Sequence, residues 1–184
     1  MKLQDSIEVD TTNDYKEGYL FAIIYFSEQG FEPFASNIKD PKLLLLLQNY
    51  PTLLGMMQGQ NPEGLATTKI SRDMFLFAYV LVLQNPLAKD MRLKKHTTTV
   101  INFLVPREDY LKLMYYFDDF EQYLKEYFNP IKFLDDLYAI DFSRIITLFL
   151  SSRTMADTEK KETTEESLAT EFKRWLNEIK LESE

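Results

Sequence analysis

The chain has 184 residues, 45% of them hydrophobic and 14% aromatic, enough to bury the core of one domain and too apolar for a chain that stays disordered throughout. A formal net charge of -8 and a pI near 4.8 argue against a broad phosphate-binding surface, so nucleic acid is not expected as a partner. The absence of cysteine excludes disulfides, cysteine-ligated zinc, iron–sulfur clusters and thiol catalysis; with a polar, acidic start that does not read as a secretory signal, it points to a cytoplasmic protein.

Residues 1–18 read as a flexible N-terminal segment. Tyr19 to Phe26, YLFAIIYF, is aromatic and β-branched; SEQG then signals a turn, and FEPFAS returns as the second arm of a hairpin. Asp40-Pro41 opens a helix through KLLLLLQNYPTLLGMMQ, with Asp40 as N-cap and proline in the first turn. Its five consecutive leucines would be apolar all round, which predicts a heavily buried helix, and Pro51 predicts a break near Tyr50.

GQNPEG is a loop, and LATTKIS, residues 65–71, has the composition of a third strand. MFLFAYVLVL is a fourth, central strand ended by Asn85-Pro86, and HTTTVINFLV a fifth, stopped by Pro106. From Asp109 to Phe128 the period changes. Tyr110, Leu113, Phe117, Phe120, Leu124 and Tyr127 recur at spacings of three and four and predict one amphipathic helix with an aromatic core face. Asn129-Pro130 ends it, and IKFLDDLYAIDFSRIITLFL supplies one more largely apolar helical segment.

The folded domain is expected to span residues 19–150. A charged linker, 151–166, leads to a detachable amphipathic helix, 167–182, whose stripe of Leu168, Phe172, Trp175 and Ile179 needs a surface to dock on. The apolar windows fall short of the about 20 residues a membrane span requires, so membrane contact is expected to be peripheral at most.

Chemistry-bearing motifs are few. There is no phosphate-binding glycine loop of either common type, and no cofactor or metal site is expected. His96 is the only histidine, which rules out histidine-rich metal sites and leaves it a structural or exposed role. The pairs Asp118-Asp119 and Asp135-Asp136 supply carboxylates, but neighbours on a helix diverge by about 100°, so a solvated face is the expectation. Lys89, Arg92, Lys94 and Lys95 crowd into seven positions of an acidic chain. They are either the solvated connection between two strands or a patch that meets an anionic partner.

The order strand, strand, helix, three strands, helix, helix resembles the longin arrangement, α+β with a five-stranded antiparallel sheet flanked by helices. The stretch MFLFAYVLVLQNPLAKDMRLKKHTTTVINFLVPRE is similar to the N-terminal longin half of folliculin and DENN-type regulators. That resemblance implies a role in small-GTPase regulation or membrane traffic. It also implies a basic finger just after the Leu-Ala of the connection; here Leu87-Ala88 precede it and Lys89 occupies it, with Arg92 three residues on. Lysine lacks the planar, bidentate fork of arginine. The expectation is therefore a non-enzymatic interaction module that binds a small GTPase or a longin or roadblock subunit, in a homo- or heterodimer, using a sheet edge or the face of the first helix, with Lys89, Arg92, Lys94, Lys95 and the tail residues Phe172 and Trp175 as candidate contacts. The alternatives are a GTPase-activating subunit using Lys89 or Arg92, and a SNARE-like trafficking protein.

Overall fold

The computed structural model describes residues 18–53 and 63–154. The aromatic and β-branched stretches form five strands: β1 (Leu20–Ser27), β2 (Gly30–Ser36), β3 (Gly64–Lys69), β4 (Met74–Leu83) and β5 (Thr97–Pro106). They pair antiparallel in one sheet of order β2-β1-β5-β4-β3. β5 lies at its centre and pairs over its whole length with β4, from Met74↔Pro106 to Leu83↔Thr97. Helices flank the sheet, so the fold is α+β as the sequence predicts. No helix among the described residues is long and apolar enough to cross a membrane.

Alternation along the strands divides the core in two. Leu20, Ala22, Ile24, Met74, Leu76, Ala78, Val80, Val100 and Leu104 form one buried cluster with Leu43 and Leu47 of helix α1 (Pro41–Leu53). The opposite face carries Phe77, Phe103 and Ile101, fully buried. There Phe77 meets rings of two further helices, α3 (Arg107–Tyr115) and α4 (Phe117–Phe128).

Three local expectations are corrected. α1 is not apolar-buried all round: Leu43 and Leu47 are buried, whereas Leu45 is 57% exposed. Nor does α1 break at Tyr50. Pro51 sits inside the helix and is buried, continuing at a spacing of four the stripe of Leu43 and Leu47 that faces the sheet, so burial outweighs one lost backbone bond. The single helix expected over 109–128 is two, parted at Tyr116 (φ -108, ψ 33). The break lets both helices bury side chains, Leu113 from α3 and Phe120, Leu124 and Phe128 from α4, while Tyr127 of the expected stripe is left at the surface.

The segment after α4 is not one apolar helix. It begins with two 3-10 turns, Leu134–Ala139 and Phe142–Arg144. Asp136 Oδ2 accepts from the N–H groups of Lys132 and Phe133, and the backbone of Gln84 clasps the segment by donating to Lys132 O (2.8 Å) and accepting from Leu134 N (2.9 Å). Leu134 and Leu137, three residues apart, are buried by this arrangement.

The chain divides into two compact units, one through Thr147 and one from Leu148. In the second, residues 148–154 are helical, so helix occupies the first four positions of the expected linker. The expected helix over 167–182 with Phe172 and Trp175, the remainder of the linker, and the N-terminal segment before residue 18 lie outside the described residues.

Candidate functional site

The basic cluster sits where β4 hands over to β5. Asn85 starts the connection: its Oδ1 accepts from Leu87 N (3.2 Å), its carbonyl accepts from Ala88 N (3.0 Å) and its N–H donates to Lys94 O (3.1 Å). Ala88 is buried under the turn. Asp90 then caps a one-turn helix, α2 (Met91–Lys95), by accepting from Arg92 N (2.8 Å). The expected order of elements lacks this helix, although an Asp followed by MRLKK carries the cap signal that announces it. Thr97 Oγ1 closes its far end on Leu93 O (2.6 Å).

The connection is tied to a distant part of the chain. Glu28, in the β1–β2 turn, places Oε1 where it accepts from both Lys89 N (2.7 Å) and Asp90 N (3.0 Å). One carboxylate oxygen thus fixes two consecutive peptide units 61 and 62 residues away. The turn itself is set by Gly30, whose φ of 112° is costly for any residue with a Cβ. Hydrogen bonds from the N–H groups of Asp90, of Glu28 itself and of Lys89 hold the Glu28 carboxyl below its ordinary pKa.

The four basic residues divide by what they already hold. Arg92 is exposed but engaged: Nη2 lies 2.7 Å from Asp90 Oδ2, and Nε is 3.2 Å from both carboxylate oxygens. Its side-chain hydrogen bonds, then its N–H, keep Asp90 ionised below the usual carboxylate range. The Lys89 side chain is exposed, with no hydrogen bond or ion pair among the described residues. Lys95 is exposed as well and Lys94 half-buried. Beside them stand two apolar side chains whose exposure the sequence does not signal, Leu87 at 80% and Met91 at 63%.

α2 and the β1–β2 turn bound an open groove of about 500 Å³ lined by Phe26, Glu28, Arg92 and Leu93, with His96 exposed at its rim. The paired aspartates do not share this site. Asp136 caps the turn before it, Asp135 is exposed, and Asp118 lines a separate groove between β4 and α4. Among the described residues no three His, Asp or Glu side chains converge as a metal cage.

A pH dependence follows from Glu28. Its folded pKa is depressed, so the contact is complete above the ordinary glutamate range and is lost as pH falls through the lower folded value. The amide signals of Lys89 and Asp90, followed by NMR, are expected to titrate on the acid side of an ordinary glutamate. In Glu28→Ala their hydrogen exchange should quicken by roughly tenfold or more, with β4 and β5 unaffected. Unchanged exchange at both amides would show that the carboxylate does not hold the loop.

No protein-family model, no curated protein and no solved structure matches this chain at a significant level.

Proposed function

We propose that the chain is a non-enzymatic longin-type interaction module, which binds a small GTPase or a longin or roadblock subunit through the basic connection between β4 and β5. The observation that carries this is the state of Lys89: its backbone is fixed by Glu28, its ammonium is unengaged among the described residues, and exposed Leu87 and Met91 flank it. A rigid backbone lowers the entropy cost of docking. Unpaired charge steers an acidic partner, and neighbouring apolar side chains supply area to bury. The sheet with its helices in the order β-β-α-β-β-β-α-α, apart from the one-turn α2, agrees with the longin resemblance and supports the same reading.

The finger alternative narrows to Lys89, since the Arg92 guanidinium is already held by Asp90 and reaches a phosphate only by giving up that pair. A lysine there offers a point charge without the bidentate fork.

The deciding experiment measures binding of the full chain to small GTPases loaded with GDP or GTP, together with single-turnover hydrolysis. Binding without acceleration is expected, weakened about tenfold in Lys89→Ala and in Leu87→Ala, and less in Arg92→Ala. Acceleration lost in Lys89→Ala would replace the module by an activating subunit. Affinity unchanged in both Lys89→Ala and Leu87→Ala would remove the loop from the interface.

A further inference from the structure

Beside the basic loop, on the other side of Glu28, lies a second concavity of about 350 Å³, toward the small end of ligand-sized sites. Its floor is aromatic. Phe34 of β2 packs on Tyr138 with ring centroids 4.3 Å apart and meets Tyr25 of β1 edge-on at 6.2 Å. Tyr138 is 70% exposed, and Leu87 reaches the rim from the basic connection.

Carboxylates edge this floor. Glu32 accepts the Tyr25 hydroxyl through Oε2 at 3.1 Å; Asp135 is exposed, with no hydrogen bond or ion pair among the described residues. No cation among the described residues is paired with either. The Tyr25 hydroxyl registers the resulting field: burial first, then the hydrogen bond and negative charge of Glu32 and the charge of Glu28, raise its pKa.

We propose that this groove receives a lysine or arginine side chain of a protein partner. Aromatic faces attract a cation through their quadrupole, and the apolar stem of such a side chain suits Phe34 and Leu87 while its charged head meets Glu32 and Asp135. The negative rim and the aromatic floor together favour this occupant over an anion or a purely apolar group. The proposal rests on the reading of this end of the sheet as the docking surface and sharpens it: the partner presents an acidic residue for Lys89 and, across the ridge of Glu28, a basic residue for the groove. Two opposite charges side by side fix orientation and reject partners carrying only one.

The test uses side-chain analogues on the full chain. n-Butylammonium and methylguanidinium chloride are titrated at constant ionic strength against sodium chloride, with the ring signals of Phe34 and Tyr138 followed by NMR. Saturable shifts are expected, with the half-saturating concentration rising about threefold in Glu32→Gln, in Asp135→Asn and in Tyr138→Ala, and unchanged in Lys89→Ala. Glu32→Gln keeps an acceptor for the Tyr25 hydroxyl, so its effect reports charge. Shifts that stay linear, or equal half-saturation in all variants, would overturn the proposal. So would light scattering showing a dimer that Glu32→Lys abolishes and that mixing with Lys89→Glu restores, since the occupant would then be a second copy. Because the analogues need no GTPase, saturable binding here with no GTPase bound would leave the groove standing and cut the function proposed above back to its longin or roadblock partner.

Discussion

Phe77→Ala is expected to destabilise the fold by about 3–5 kcal/mol, the range for emptying a fully packed aromatic site. The side chain is fully buried on the face of β4 that α3 and α4 cover. It packs edge-on against Phe120 at 5.8 Å and meets Tyr110 at 5.6 Å and Phe117 at 6.5 Å. Those rings belong to α3 and α4, on either side of the break at Tyr116. Phe77 therefore packs two helices against one strand, and its removal is expected to leave a cavity between them. Domains of this size have about 5–15 kcal/mol in total, so urea unfolding should show a large loss of midpoint, while Leu111→Ala, at an exposed site, stays within about 0.5 kcal/mol. A loss under about 1 kcal/mol for Phe77→Ala would mean that the two helices do not depend on this ring.

The second prediction has the opposite sign. Asn102 is fully buried at the middle of β5, on the face that α1 covers, between Ala22 of β1 and Ala78 of β4. Its Nδ2 donates to Ala22 O at 3.2 Å and weakly to Val100 O at 3.5 Å, but its Oδ1 has no partner among the described residues. A buried acceptor left unpaired costs about 1–3 kcal/mol, whereas an apolar group of similar shape carries no such cost. Asn102→Val is accordingly expected to raise stability by about 1–2 kcal/mol, read as a higher thermal or urea midpoint. Asn102→Ala should gain less, because it empties the space between the two alanines. A destabilised Asn102→Val would show that the amide contributes more through Ala22 O than its orphaned oxygen costs.

Much of the fold was legible because each strand carries its own signal. MFLFAYVLVL is apolar at every position since β4 is covered on both faces, and SEQG names the hairpin turn. What was not legible depends on contacts between elements. The period from Tyr110 to Phe128 is continuous in sequence, and only the demand that Leu113 and Phe128 both be buried reveals the bend at Tyr116. Pro51 looks like a helix stop until the stripe of Leu43 and Leu47 is seen to need it.

The site divides the same way. The cluster of Lys89, Arg92, Lys94 and Lys95 stands out in the sequence, but Asp90 lies within two residues of both Lys89 and Arg92, and only the structure shows that it pairs with Arg92. Glu28 lies 61 residues from the loop it holds and becomes its neighbour only because β1 pairs with β5. Tyr25, Phe34 and Tyr138 come from two strands and a 3-10 turn, and no periodicity links them.

The rims of the sheet bear on how this molecule meets others. The outermost strands are β2 and β3, and each is blunted by a different device. β2 carries Pro33, which brings no N–H, next to an irregularity in its register with β1. On β3, the Leu65 N–H is taken by Glu121 Oε1 at 2.9 Å, a carboxylate from α4. A strand arriving at either rim would find its ladder interrupted and, at β3, a negative charge in the way. The protein is thereby biased against growing sideways into stacks of its own copies.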